Sequence, residues 1–501
     1  MREGYDIKLG EFKEYLKKLE YLNNSVAVLY WDMRVGIPKK AIPYRGEMLG
    51  YLSGEAYKLQ TSDTMKEFID YFSGIEELDD VTKSMVESAR KNYEQTKKIP
   101  EDKYKEYTIL ASNGEAAWEE AKEKSDFEIF KPYLEKLVAF NKEFIGYWGF
   151  KENKYDTLLD FYEPGITVKE LDKVFGELRD AIVTLLNKIK NSDVKPNVEP
   201  FKKNFSKEDQ EAFSKHVLNI MGYDFEAGRL DESTHPFTIN FGNKDVRITT
   251  HYYDNDFRSA LFSCIHEGGH AIYEQNIPDE LIGTMLGTGV SMGIHESQSR
   301  FYENIIGRSI EFWKYFYPEV QKRFSQFEGI PLTEFYRGIN VVEPSLIRTE
   351  ADELTYSLHI IIRYEIEKAL INGEIKVEDL PHIWNEKYKE YLGVEPGNDA
   401  EGVLQDMHWS DGSFGYFPSY ALGNLYGAQF LNKMVKDMPD LYKDIENGNL
   451  NNIREWLKEN IHKHGSVYKP AKLIKDVTGE ELNAKYFIAY LNDKYSKIYN
   501  L

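Results

Sequence analysis

Residues 266–270, His-Glu-Gly-Gly-His, constrain this 501-residue chain more than any other stretch. Two imidazoles four positions apart serve one metal ion only if the backbone between them is helical. A helix stacks positions i and i+4 on one face, with Cβ atoms roughly 5–6 Å apart. So placed, His266 and His270 can each bring a nitrogen to about 2.0–2.1 Å from one zinc ion. Glu267 then reaches the same cavity and can take a proton from a metal-activated water. The plainer alternative is an exposed helix that happens to carry two His and a Glu.

The two intervening glycines sharpen the reading. Each costs a helix interior roughly 0.8–1 kcal/mol relative to Ala, so their presence points to something lying close against the helix backbone. An extended substrate and a tight helix–helix crossing both satisfy that requirement.

Composition narrows the function classes. Charged residues make up 29% and hydrophobic residues 42% of the chain, as in soluble globular proteins with a sizeable core. A net charge of −21, from 63 basic and 84 acidic residues, argues against nucleic acid or an anionic membrane as partner. The Met1–Asp6 start carries charges where a secretory signal needs an apolar run. No stretch approaches the roughly 18 apolar residues of a membrane span. The single cysteine, Cys264, excludes an intrachain disulfide and fits a reducing cytoplasm. It lies two residues before His266, projects from another side of the helix and is expected to pack in the core.

Most of the chain reads as helix. Phe12, Leu16, Leu19 and Leu22 recur at steps of three and four, as do Leu171, Val174, Leu178, Ile182 and Leu185, and again Leu354, Leu358, Ile361 and Ile362. No linker, repeat or low-complexity tract divides it, so residues 1–501 are expected to form a single domain. Residues 237–250 differ. Phe237, Ile239 and Phe241 alternate with polar neighbours, Gly242-Asn243-Lys244 supplies a turn, and Val246, Ile248 and Thr250 alternate again, which predicts a β-hairpin. Near the metal helix, such an edge can hold an extended peptide through free backbone N–H and C=O groups; an ordinary hairpin fits the pattern equally.

Two His ligands under-coordinate zinc, since catalytic sites usually have three protein ligands plus a water. The stretch from Gly287 to Arg300 offers His295 and Glu296. Adjacent helical positions point about 100° apart, so one of the two faces the metal. Glu296 is the expected third ligand, with His295 as the partner that orients a ligand.

These segments resemble the carboxypeptidase Taq family of metallopeptidases. The resemblance rests on the pentad and on five further stretches: His235-Pro236-Phe237, Asp245-Val246-Arg247-Ile248-Thr249, His295-Glu296-Ser297-Gln298, Ile347-Arg348-Thr349-Glu350-Ala351-Asp352 and Gly402–Trp409, the last containing Gln405-Asp406-Met407-His408. One departure is Met33 in Trp31-Asp32-Met33, where the family pattern is Trp-Asp-Gln. The resemblance implies a mostly helical fold with a deep groove and a small β-sheet beside the site, and a homodimer. It further implies His266, His270 and Glu296 as metal ligands, Glu267 as general base and acid, and removal of residues from the C-terminus of peptides.

An enzyme of that kind needs a cation for the substrate's free carboxylate, and arginine binds carboxylate bidentately. Arg247 and Arg348 are the two arginines within the matched motifs, with ion pairs to Asp245 or Asp352 as the structural alternatives. An oxyanion donor is also required, and His408 and Tyr420 are the candidates by loose similarity to related peptidases. Zinc is the expected metal, and Co2+ or Mn2+ suits the same ligands. A metallo-endopeptidase or oligopeptidase is the nearest alternative, and a peptide-binding scaffold with a structural metal is the alternative from another class.

Overall fold

The computed structural model describes residues 2–501. As expected, the architecture is mostly α, with twenty α-helices and one three-stranded sheet among the described residues. Helix Arg2–Val35 contains the first apolar repeat, and Phe12, Leu16 and Leu19 of it are buried. The second repeat lies in helix Val168–Lys190 and buries Leu171, Val174, Leu178, Ile182 and Leu185. Thr167 opens this helix with a reciprocal cap: its hydroxyl accepts from the Glu170 N–H, and the Glu170 carboxylate accepts from the Thr167 N–H. The third repeat is shifted. Helix Tyr356–Asn372 begins two residues after Leu354, because Asp352 takes the N–H groups of Leu354 and Thr355 into a turn. The apolar residues from all three regions belong to one contiguous buried cluster.

The predicted hairpin is present. Strand β2 (Thr238–Asn240) runs antiparallel to β3 (Val246–Thr250), with Thr238 opposite Ile248 and Asn240 opposite Val246. Gly242 makes the turn at φ +110°, a conformation in which other residues are strained. The third strand, β1 (Leu230–Glu232), pairs parallel with β3, so the order is β1-β3-β2 and β2 is an edge. Three residues without alternation gave β1 no legible signal.

The sheet lies against helix Phe257–Gln275, which carries the pentad. Asp256 caps that helix by accepting from the Arg258 N–H. Helix Met292–Arg300 is capped in the same way, Ser291 accepting from the Ile294 N–H at 3.1 Å. Its chain continues as a wider π-helical turn, Phe301–Ile306. Both pentad glycines serve helix crossings. A Cβ on Gly268 would lie 2.5 Å from Leu218 Cδ2, on helix Lys207–Met221. One on Gly269 would lie 2.6 Å from the Gln298 carbonyl oxygen and 2.7 Å from Ser299 Cα. Of the two explanations for the glycines, the helix crossing is the one realised, and no space for substrate is involved.

Candidate metal centre

His266 and His270 project from one face of the pentad helix, and Glu296 enters from the helix packed across Gly269. Their ligand atoms lie within 4.8 Å of one another, the only such His/Cys/Asp/Glu group found among the described residues. Glu296 Oε2 is 3.6 Å from His266 Nε2 and 3.4 Å from His270 Nε2. A tetrahedral ion with ligands at about 2.0–2.1 Å spaces them about 3.3–3.4 Å apart, so the three residues fit a zinc-sized ion with little movement.

Each of the three has its own support. His266 Nδ1 meets Glu303 Oε2 at 2.8 Å. The π-helical turn carries Glu303, the sort of irregularity that places one side chain out of regular register. His270 Nδ1 lies 2.6 Å from His295 Nδ1, and His295 Nε2 lies 2.7 Å from Glu274 Oε1. Glu274 also accepts from Thr288, the Gly289 N–H and Asn240. Glu296 is held by Arg300, whose Nε donates to Oε1 at 2.8 Å and whose Nη1 donates to Glu303 at 3.2 Å.

The charges follow from these contacts. Burial works against an ionised Glu296, yet Arg300 and His266 overcome it and hold the carboxyl well below the usual range. Glu303 is half-buried; desolvation works against its charge too, and Arg300 and His266 pull it down to about 2. Burial lowers His270 to about 4, which leaves a neutral imidazole as a ligand requires. Burial raises Glu267, with the neighbouring His266 acting in the opposite sense. Thr238 of the edge strand donates to Glu267 Oε2 at 2.6 Å. Cys264 is fully buried and outside the ligand group, its thiol pushed by burial up to about 11.

The two arginines of the matched motifs differ. Arg247 forms a double hydrogen bond with Asp245, 2.7 Å from Nε to Oδ1 and 2.7 Å from Nη2 to Oδ2. It is paired with Ile239, so its side chain leaves the sheet on the face opposite Thr238 and Glu267 and stacks on Trp31. The structure therefore does not bring Arg247 to the candidate ligand group. Arg348 is buried, donates to Asp406 Oδ1 at 2.9 Å and to the Tyr356 hydroxyl at 3.2 Å, and lies over the Tyr420 ring. Its acidic partner is Asp406, while Asp352 caps the turn before helix Tyr356–Asn372. Asp406 is shared with the fully buried Arg363. Two guanidinium groups against one carboxylate leave one positive charge over.

His408 Nε2 is 3.2 Å from the Tyr420 hydroxyl. Burial lowers His408 to about 4, so it is neutral, and its Nδ1 is buried without a partner. A bare lone pair there costs less than an unpaired N–H, which places the proton on Nε2, donating to Tyr420. The Tyr420 proton is then free to point elsewhere. Tyr420 and Tyr416 are both raised by burial, and the Glu296 carboxylate adds to the shift in each. Arg300 lies 4.1 Å over the Tyr356 ring, which links the ligand group to Arg348. Motif spacing carried no signal for Thr238, Glu274, Arg300 and Glu303, since each acts through a contact that only the fold creates.

Residues 11–495 match the family described as carboxypeptidase Taq (M32) metallopeptidase. The chain is 53% identical over 493 residues to Carboxypeptidase 1 of Bacillus subtilis, covering 98% of each. It is 40% identical to Thermostable carboxypeptidase 1 of Thermus thermophilus, covering 97% of this chain and 98% of that one. Among solved structures, the M32 carboxypeptidase from Deinococcus radiodurans R1 superposes with a TM-score of 0.96 at 35% identity, over 99% of this chain and all of that one. The chain belongs to the carboxypeptidase Taq (M32) metallopeptidase family.

Proposed function

We propose that this protein is a metallocarboxypeptidase that releases single residues from the C-terminus of peptides, with His266, His270 and Glu296 holding the metal. The observation that carries the reading is the uncancelled positive charge of Arg348 and Arg363 around Asp406, linked through Tyr356 and Arg300 to the ligand group. A buried, rigid guanidinium with charge to spare suits a free carboxylate. We read the ion as zinc, with Co2+ or Mn2+ as substitutes, and the chain as a single domain that works as a cytoplasmic homodimer.

When bound, the ion polarises the scissile carbonyl and acidifies the attacking water. Glu267 takes the water's proton, and burial, which raises its carboxyl, suits it to pass that proton to the leaving amine. Thr238 keeps the Glu267 carboxylate in place from the edge strand. Tyr420 donates its free O–H to the developing oxyanion while His408 holds the phenol in orientation. Arg348 receives the terminal carboxylate. The peptide lies extended along β2, whose outer edge has unpaired backbone groups.

The test is trimming of an unblocked peptide followed by mass spectrometry, beside the same peptide amidated at its C-terminus. Stepwise loss of single residues that stops on amidation, stops with chelator and returns with metal supports the proposal. Internal cuts that ignore amidation establish the endopeptidase alternative. Absence of cleavage with every metal leaves the binding scaffold.

A further inference from the structure

A cavity of about 260 Å3 opens between helix Arg2–Val35, the β2–β3 hairpin and the segment 284–288. Its polar lining is neutral amide and hydroxyl, with Asn23, Asn24, Asn92 and Asn240 among it, and Glu20 is the only charged side chain. Glu20 Oε2 is buried and makes no hydrogen bond. Burial raises this carboxyl; the Gly283 N–H, the Lys17 charge and the Asn24 side chain offset only part of that effect, and none of them satisfies Oε2. A carboxylate left short of donors in a solvent-connected cavity favours a cationic guest.

Position relates the cavity to the proposed substrate path. Asn240 lies two residues along β2 from Thr238, the residue that touches Glu267. At a strand rise of about 3.4 Å per residue, an extended peptide crossing Glu267 reaches the cavity about 7 Å farther on. Asn240 and Thr288 both donate to Glu274, which continues through His295 to His270. From Glu296 the contacts run the other way, through Arg300 and Tyr356 to Arg348. The cavity and Arg348 thus stand at opposite ends of one chain of contacts, with the metal ligands between them. For a peptide that follows β2 with its carboxylate at Arg348, as in the function proposed above, the amino-terminal part lies on the cavity's side of these residues.

We propose that this cavity is a substrate subsite for an ammonium or guanidinium group on the amino-terminal side of the scissile bond, paired with Glu20. It rests on the carboxypeptidase reading above and names a preference that reading does not contain. Two sources offer the same chemistry: the free α-amine of a short peptide, and a Lys or Arg side chain within a longer one.

The experiment compares kcat/KM for C-terminal release from alanine-rich peptides of four to seven residues that share one C-terminal residue. One set has a free amine, one is N-acetylated, and one is N-acetylated with a single Lys placed successively at each upstream position. The wild type is expected to favour one cationic set about tenfold over the neutral acetylated set, and Glu20→Gln to abolish the ratio. Preference for the free amine identifies the α-amine; preference for one Lys position identifies the side chain. Equal rates across all sets in the wild type overturn the proposal without any variant, as does a preference that survives Glu20→Gln. Glu20→Asp, which keeps the charge on a shorter stem, is expected to retain part of the ratio. If no peptide loses its C-terminal residue, the carboxypeptidase reading itself fails, an outcome distinct from equal rates.

Discussion

Gly423 lies so close to Glu296 that a Cβ on the glycine would stand 2.8 Å from Glu296 Cβ and 2.9 Å from its carbonyl carbon. Helix Pro418–Asp437 thus presses directly on the proposed third ligand, and three residues earlier it carries Tyr420. Gly423→Ala is expected to displace Glu296, weakening metal affinity at least tenfold and destabilising the fold by about 1–3 kcal/mol. Gly427, where a Cβ would meet nothing closer than 3.4 Å, is the control and is expected to tolerate Ala. Chelator competition and thermal unfolding of the two variants check both statements.

Glu267→Gln keeps the shape of the side chain and removes its basicity. Turnover is expected to fall by about 10²–10⁴-fold while the metal stays bound, since general acid–base groups contribute on that scale. Steady-state kinetics beside metal analysis of the purified variant decide the matter; turnover that survives the change rules out the mechanism.

Glu274→Gln removes the carboxylate behind His295 and leaves His270 without a fixed partner chain. Loss of such support typically weakens metal binding by about 10–100-fold. Competition with a fluorescent chelator measures it, and His295→Asn is expected to fall in the same range. A variant that binds metal as the wild type does removes the orienting role.

Glu163 gives a pH signature independent of catalysis. It is buried, accepts from the Gly293 N–H at 3.0 Å and the Tyr426 hydroxyl at 2.8 Å, and burial raises it to about 7. A carboxyl with a raised folded pKa contributes its stability fully below the unfolded value near 4.5 and loses it as pH rises through about 7. Wild-type melting temperature is therefore expected to decline between about pH 5 and pH 8, by up to about 3 kcal/mol in stability. Glu163→Gln, able to accept from Gly293 and donate to Tyr426, is expected to remove that component. Scans across this range compare the slopes.

Arg348→Met leaves Asp406 paired with Arg363 and cancels the spare charge. The expected loss in kcat/KM on free C-terminal peptides is about 10²-fold or more, from a buried charge-assisted contact worth about 1.5–3 kcal/mol and the misplacement that follows. Arg247→Met, on the other face of the sheet, is expected to change activity far less.

Much of the site was legible because its chemistry is compressed into short, ordered stretches. His266, Glu267 and His270 declare a helix by spacing alone, and the 100° step between His295 and Glu296 turns the neighbours to different partners, Glu274 for the one and Arg300 for the other. Arg247 and Arg348 were indistinguishable in sequence: both sit beside an acid in a matched motif, and only the strand's alternation turns one of them away. Asp352 looked like a partner for Arg348, yet its oxygens are consumed by local N–H groups, and the true partner lies 58 positions along the chain. Glu303 was hidden for a different reason, since a π-helical turn breaks the period on which helical patterns depend.

The Glu296 helix is gripped from two sides, by Gly269 across one crossing and by Gly423 across another. Glu296 is further tied to Arg300 without any help from an ion. A socket built in this way is finished before its occupant arrives. Removal of the metal is therefore expected to leave a dormant, fully folded protein that recovers as fast as ions reach it, with no refolding step between the silent and the working state.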